Sequence, residues 1–355
     1  MRADTCRSLG RTTLSYSRNV PSFQQLSAVI LDSASDVESV DGACSELYEL
    51  FGAAAASTGH CGHQVTRESR LESGLALSPA LAAKCLLDGQ RTRTFARGAL
   101  NAINDAVRRN SPGIVEVLYA GTGPFAPLAF LIMPLTDPKV VRFTLLDVHA
   151  ESTQSVSALV HALRLTDHVR AVICADATTY RHPTRLHVLI SETMQRCLSE
   201  EPFVAILRNL RTQLAPGGVV VPERVTIELA LVDAATEQAR WNGAQEVSRN
   251  ASYAGKVFEI DALHEWPAER TGTTIRVSCG DRHGAHWLAL VTRVNVYQDE
   301  VLEPYASGLT TPEILWRLSP VRRDLTLAFR YNDGAAPRLE WHEVQLTPST
   351  AGEIH

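Results

Sequence analysis

The chain of 355 residues has an ordinary globular composition and is slightly acidic, with 45% hydrophobic residues, 21% charged residues and a formal net charge of -5. This balance excludes an intrinsically disordered chain and a strongly basic nucleic-acid-binding surface. No run approaches the roughly 20 apolar residues of a membrane span, so we expect neither nucleic acid nor a membrane as a partner. The seven cysteines are scattered without a close CxxC pair, which predicts reduced thiols in a cytoplasmic protein.

The N-terminal part is predicted to be an irregular lead-in followed by a helical segment, together covering residues 1–74. Residues 1 to about 25 show no periodicity, whereas residues 27–56 carry apolar side chains at helical spacing, with Asp36 and Asp41 as candidate caps. The stretch "HCGH" at 60–63 offers metal ligands or a glycine-flanked turn. Without a second ligand cluster at zinc spacing, we favour the turn and predict no metal site.

The middle of the chain alternates buried strands with helices. Four β-rich apolar runs occupy residues 114–121, 141–148, 169–176 and 185–192, and segments such as 151–165 between them have helical periodicity. Near-continuous apolar strands are typical of a parallel sheet that is covered on both faces. We therefore predict an α/β fold, with a doubly wound Rossmann-like domain over residues 75–222.

The sequence changes character after "LAPGG" at 214–218. Runs with strand-like alternation follow at 219–232, 274–280, 287–297 and 325–332. Alternation of this kind favours antiparallel strands with one solvated face. We predict a mainly antiparallel β domain over residues 223–355, with the boundary near Pro222.

A glycine turn follows the first of the buried strands, in "YAGTGPFAP" at 119–127. Gly121 and Gly123 permit a tight turn and a close backbone approach to a ligand, and Asp147 ends the next strand, where a carboxylate can bind both ribose hydroxyls. Phe125 replaces the third glycine of the dinucleotide fingerprint, which disfavours a pyrophosphate at the helix N-terminus. Asp176 adds a polar group along the same edge, so the pattern favours S-adenosylmethionine over NAD, with a purely structural turn as the alternative.

The stretch "SETMQRCLSEEP" at 191–202 places two acidic positions around the end of a buried strand. Glu192 ends that strand at the edge that carries the glycine turn. Glu200 and Glu201 stand just before Pro202, where acidic residues also favour the start of a helix. A helix cap explains Glu201 by itself but does not explain Glu192.

These residues resemble the double-glutamate loop of the protein arginine methyltransferase family. The family pattern Ser-Glu-x-Met-x-x-x-Leu-x-x-Glu is matched in register by Ser191, Glu192, Met194, Leu198 and Glu201. The resemblance extends over about residues 75–330 and is strongest from 114 to 222. It implies a class I methyltransferase fold with a β-barrel-like domain, S-adenosylmethionine as cofactor, and a guanidinium held by the two glutamates.

The resemblance also implies roles for residues outside this loop. The stretch "CLLDGQRTRTF" at 85–95 is similar to the family's helix before the glycine turn, so Arg91 would bind the carboxylate of the cofactor's methionine part. Met194 and Trp316, the latter at the end of "TTPEILW", would contact the substrate. An inserted dimerisation arm would lie near residues 233–266, which makes a homodimer the expected state.

Three departures from the family pattern concern the substrate side. Tyr119 stands where the family has an acidic residue before the glycines, and the family's aromatic helix has no counterpart in "RLESGLALSPALAAK" at 70–84. The family's Thr-His-Trp loop is matched either by Trp316, which lacks the histidine, or by His286 and Trp287; we prefer Trp316.

We therefore predict an S-adenosylmethionine-dependent N-methyltransferase that acts on the guanidino group of arginine. The favoured substrate is free L-arginine, giving Nω-methyl-L-arginine, as in the branch resembling this family that supplies nitrosourea natural products such as streptozotocin. The alternatives are a protein arginine methyltransferase, another small-molecule methyltransferase, or an inactive methyltransferase-like protein that binds a partner.

Overall fold

Two helices begin the part of the chain that the computed structural model describes, which comprises residues 22–241, 251–262, 272–278, 287–317 and 324–344. Helix α1 (Phe23–Leu31) starts with a capping box formed by Ser22, and α2 (Val37–Ser57) starts at Asp36, whose carboxylate accepts from the Ser39 amide. The single helical segment predicted for 27–56 is thus two helices. The turn-forming stretch Asp-Ser-Ala-Ser at 32–35 separates them, and Asp41 lies inside α2.

A short hairpin and a short helix follow. Strands β1 (Ser69–Leu71) and β2 (Gly74–Ala76) pair antiparallel, and α3 (Pro79–Lys84) begins at Ser78, which caps it. The predicted domain boundary at residue 74 falls inside this hairpin. His63, from the "HCGH" stretch, lies in a 3-10 turn with its ring 5.4 Å from that of Phe125, and the described residues include no group of three or more side chains that could hold a metal.

The central sheet is parallel and five-stranded, which confirms the predicted α/β class. Its strands are β3 (Val115–Ala120), β4 (Val141–Asp147), β5 (Val169–Cys174), β6 (Leu186–Ser191) and β7 (Leu214–Val221), in the spatial order β5-β4-β3-β6-β7. The accompanying helices are α4 (Gly89–Asn110), α5 (Pro127–Ile132), α6 (Ala150–Ala162) and α7 (Phe203–Leu210). Every residue of β3 is buried, since this strand lies in the middle of the sheet with layers on both faces.

The strand-like run predicted over 219–232 is divided between two strands, on either side of the predicted boundary near Pro222. In the structure, β7 already starts at Leu214 and pairs parallel with β6, and β8 (Arg224–Val232) starts after a break at Pro222. Proline cannot donate to a strand ladder, so the apolar run is divided there between the two sheets.

The C-terminal half forms two antiparallel sheets, as predicted. One sheet contains β8, β9 (Ala251–Asp261), β11 (Trp287–Tyr297), β12 (Glu300–Leu302) and β13 (Glu313–Arg317). The other contains β10 (Thr273–Val277), β14 (Leu325–Asn332) and β15 (Arg338–Glu343).

The predicted dimerisation arm at 233–266 is only partly described. Helix α8 (Ala234–Trp241) lies in this range, and residues 242–250 and 263–266 lie outside the described residues. Strand β9 pairs with β8 along its whole length. Residues 251–261 are therefore part of the β domain's sheet, and a dimerisation arm within 233–266 stays a prediction.

Helix α4 joins the two halves. Gly98 lies so close to β11 that a Cβ there would be 2.5 Å from Val296 Cγ1, and the Tyr297 hydroxyl donates to Asp105 over 2.8 Å. One continuous hydrophobic core runs from α1 to β14. Within the described ranges, no helix has both the length and the apolar character needed to cross a membrane.

Candidate active site

A pocket opens at the carboxyl ends of the parallel strands, where open α/β sheets bind their ligands. Its walls come from the β1–β2 hairpin, the start of α4, the turn after β3, and the segments that follow β4, β5 and β6. The space between these walls is about 810 Å³, including the open mouth.

The glycine turn after β3 has the backbone conformation that requires glycine. Gly121 and Gly123 have φ angles of 76° and 58°, in the left-handed region that other residues adopt at a cost. A Cβ on Gly121 would lie 2.1 Å from Thr193 Cγ2, and one on Gly123 would lie 3.1 Å from Ala82. The turn is therefore packed closely between the segment after β6 and helix α3.

Asp147 fixes this turn from the end of β4. Its Oδ2 accepts from the Gly123 amide over 2.8 Å, and its Oδ1 accepts from the His149 amide over 2.9 Å. The side chain is almost completely buried and lines the pocket. Because each carboxylate oxygen can accept a second hydrogen bond, Asp147 can hold the turn and still receive hydroxyl groups of a ligand.

Asp176 lies after β5 on the same edge of the sheet. Its Oδ1 accepts from both the amide and the hydroxyl of Thr178, over 2.8 and 2.7 Å. Its Oδ2 has no hydrogen-bond partner among the described residues, and the residue lines the pocket. The structure thus brings all four of the predicted residues Gly121, Gly123, Asp147 and Asp176 to one wall.

Arg91 lies two residues into α4 and forms a nearly buried ion pair with Glu192. Its Nε donates to Glu192 Oε1, and the two side chains are 12% and 9% exposed. Burial lowers the pKa of Arg91, but the Glu192 carboxylate more than offsets this and raises it above its usual value. Arg91 Nη1 has no hydrogen-bond partner among the described residues, so part of the guanidinium fork can still bind a carboxylate.

Glu201 lines the same pocket, and its carboxylate lies in a poorly solvated environment. The residue is 6% exposed, and no described residue hydrogen bonds to its side chain. Burial raises its pKa to about 8, with Arg91 opposing this shift and the charges of Glu192 and Glu200 adding to it. Burying an ionised carboxylate without a partner is costly, so this position is suited to a group that supplies a positive charge.

The loop that carries Glu201 has an unusual backbone. Cys197, Leu198 and Glu200 have φ angles of 55°, 54° and 63°, although none is a glycine. Such conformations cost roughly 1–2 kcal/mol per residue, and they persist where the surroundings determine them. The loop's shape is therefore imposed by contacts outside it.

The β1–β2 hairpin covers one side of the pocket. Leu71 and Leu75 line it, together with Leu77 just beyond the hairpin. The Leu75 amide donates to Glu200 O over 2.8 Å, and a Cβ on Gly74 would lie 2.7 Å from the same oxygen. This hairpin occupies the segment that has no aromatic helix, and it presents aliphatic side chains to the site.

The two predicted substrate residues are not part of the pocket wall that the described residues form. Met194 is 1% exposed and belongs to the hydrophobic core. Its predicted contact with substrate stays a prediction. Trp316 lies in β13, where its backbone pairs with Leu288, and its role stays a prediction. His286, from the alternative match, lies outside the described residues.

Sequence reasoning missed the hairpin and also Cys85, whose thiol borders the pocket near Arg91. Strands of three residues are too short to show alternation. The dipeptide Ser-Gly at 73–74 was the available signal, since it marks a turn.

No protein-family model matches the sequence, and no curated protein matches it. Solved structures do match. One is the Trypanosoma brucei PRMT1 enzyme-prozyme heterotetrameric complex with AdoHcy, at 14% identity and a TM-score of 0.51 over 76% of this chain and 94% of that chain. This chain therefore shares the fold of that protein. A second match is Arabidopsis thaliana protein arginine methyltransferase 10, at 16% identity and a TM-score of 0.48 over 68% of this chain and 87% of that chain.

The match at 14% identity and a TM-score of 0.51 shows the fold that the two chains share. The prediction of this fold from the glycine turn and the glutamate loop is thereby confirmed.

Proposed function

We propose that the protein transfers a methyl group from S-adenosylmethionine to the guanidino group of arginine. The observation that carries this proposal is Glu201, a buried carboxylate without a partner beside the Arg91–Glu192 pair in a pocket that also contains the glycine turn. A guanidinium is the cation whose planar fork matches carboxylates best. The comparisons support the proposal, since a matched protein of the same fold is an arginine methyltransferase in complex with AdoHcy.

The residues at the sheet edge fit S-adenosylmethionine. Asp147 has acceptor capacity left for ribose hydroxyls, and Asp176 has a free oxygen for the adenosine part. Arg91 Nη1 can bind the carboxylate of the methionine part, while Nε stays on Glu192. When bound, the cofactor supplies a methyl group on a sulfonium.

The two glutamates are proposed to act on the acceptor. Guanidinium nitrogens are poor nucleophiles because their pKa exceeds about 12 and their charge is delocalised. Glu192 and Glu201 can orient the planar group by hydrogen bonds and concentrate electron density on the nitrogen that faces the methyl carbon. As the nitrogen–carbon bond forms, the carbon–sulfur bond breaks with its electron pair staying on sulfur, and Glu201, whose pKa lies near 8, is suited to take the proton that the nitrogen loses.

We further propose free L-arginine as the acceptor, with Nω-methyl-L-arginine as the product. The support is the hairpin, which covers the pocket with Leu71 and Leu75 in the segment where the resembling family has an aromatic helix. Arginine in a protein is the alternative acceptor. A homodimeric state and a cytoplasmic location are part of the same proposal.

The test is mass spectrometry of reactions that contain the protein, S-adenosylmethionine and either free L-arginine or an Arg-Gly-rich peptide. A methyl group gained by free arginine supports the metabolic reaction, and methylation of the peptide alone replaces it with protein modification. If neither acceptor is methylated while S-adenosylmethionine binds, guanidino methylation is wrong.

A further inference from the structure

The β domain makes three hydrogen bonds to the backbone of the glutamate loop (residues 192–201), and none of the residues that make them lines the pocket. The Cys197 amide donates to Thr292 Oγ1 in β11 over 3.0 Å. The Tyr331 hydroxyl, in β14, donates to Leu198 O over 2.8 Å. The Glu200 amide donates to Pro337 O, in the turn between β14 and β15, over 2.7 Å.

These contacts fall on the residues whose backbone is least favourable. Cys197, Leu198 and Glu200 all have positive φ angles, and each gives or receives one of the three hydrogen bonds. A strained non-glycine backbone needs external contacts to persist. The β domain therefore supplies the contacts that keep Glu201 directed into the pocket.

We propose that the β domain acts as a clamp on the glutamate loop and that Tyr331 is its positioning residue. This inference rests on the proposed function, because the group being positioned is Glu201. Tyr331 is buried, and its ring stacks on Phe258 at 4.6 Å between centroids. Because the stacked ring cannot shift freely, the hydrogen bond from its hydroxyl fixes the distance between β14 and the Leu198 carbonyl of the loop. Tyr331 does not line the pocket and acts only through the loop.

The test compares two conservative variants. Tyr331→Phe removes the hydroxyl that holds Leu198 O and keeps the stacked ring. Tyr297→Phe is the matched control, because that residue is as buried as Tyr331 and its hydroxyl donates over the same 2.8 Å, but to Asp105 in α4 and not to the loop. Both variants lose one hydroxyl hydrogen bond between the β domain and the rest of the chain.

Two measurements separate the clamp from a general loss of stability. Hydrogen exchange of the peptide covering 192–202 should become faster in Tyr331→Phe and not in Tyr297→Phe. The kcat for methyl transfer should fall about 10- to 100-fold in Tyr331→Phe alone, as expected for a small misplacement of a catalytic group, while the Kd for S-adenosylmethionine stays unchanged. Thr292→Val, which removes the acceptor for the Cys197 amide, should shift both readouts in the same direction.

Equal loop exchange in the two tyrosine variants would overturn the clamp, as would a loss of kcat without faster exchange in 192–202. If the unmodified protein methylates no guanidino compound, the proposed function fails, but the exchange measurement still decides whether Tyr331 holds the loop. The two proposals can therefore fail independently.

Discussion

Replacing Glu201 with glutamine tests the catalytic pocket most directly. The amide keeps the size of the protonated carboxyl but cannot ionise, so a bound guanidinium loses one of its two partners. Removing one partner from a buried ion pair costs about 3–5 kcal/mol. The Glu200→Gln variant is the matched control, since Glu200 is the neighbouring residue and the same charge is removed from an exposed side chain.

The size of the effect depends on pH, because the pKa of Glu201 is raised to about 8 by burial and by the nearby carboxylates Glu192 and Glu200, against Arg91. At pH 7 the free protein must first lose the Glu201 proton, which costs about 1.4 kcal/mol per pH unit below the pKa. If the lost partner costs about 3 kcal/mol of binding free energy, roughly 1.6 kcal/mol of that cost remains at pH 7 after this deprotonation is subtracted. This corresponds to about a 15-fold loss in kcat/KM at pH 7 and about a 150-fold loss above pH 8.

The assay is kcat/KM for methyl transfer to the guanidino substrate at several pH values, since this parameter reports ionisation in the free enzyme. Glu200→Gln should remain close to the unmodified protein throughout. A Glu201→Gln defect that is independent of pH, or that Glu200→Gln reproduces, would refute the assignment of Glu201 as the partner of the cation.

Three further outcomes are expected. Because the pKa of Glu201 is raised in the folded state, its contribution to stability is present at low pH and is lost as the pH rises from about 4.5 to about 8. The Tm of Glu201→Gln relative to the unmodified protein should therefore increase over this range. A difference in Tm that stays constant would contradict the raised pKa. Gly74→Ala should reduce methyl transfer at least tenfold, because the added Cβ pushes the hairpin away from Glu200 O. Gly59→Ala should not reduce it, since Gly59 also has a positive φ but no atom lies within 4 Å of an added Cβ. Equal activities of the two variants would show that the contact is unimportant. Asp147→Ala should weaken S-adenosylmethionine binding, measured by calorimetry, at least tenfold and lower the Tm, since the Gly123 amide loses its acceptor; normal affinity would remove Asp147 from the cofactor site.

The parts of the fold that local sequence determines were predictable. Strand β3 is buried along its whole length, so its apolar run was continuous and easily assigned. The position of Glu192 was predictable for a related reason, because the carboxyl ends of neighbouring parallel strands share one edge of the sheet. The sequence did not show that the residues before Pro222 form the last parallel strand. The same apolar run contributes to a parallel strand before Pro222 and to an antiparallel strand after it.

The environment of Glu201 could not be read from its neighbours in sequence. Its place beside Glu192 was expected only from the family-like spacing of the loop. The loop that carries it is hydrogen bonded to Thr292 and Tyr331, about 90 and 130 positions later in the chain. Local patterns favoured a helix cap at this position, and α7 does begin at Phe203. The loop differs from a simple helix cap because the β domain hydrogen bonds to its backbone.

The charge balance of the pocket explains why two glutamates with different environments are useful. Glu192 is already paired with Arg91, so it enters the site with its charge compensated. The proposed reaction brings together two positive centres, a sulfonium and a guanidinium, which repel each other in a poorly solvated pocket. Glu201 provides the negative charge that this encounter needs, and its pKa near 8 means that the free protein need not carry that charge unpaired. Bound cations favour the ionised carboxylate, and its protonated form is available when they are absent.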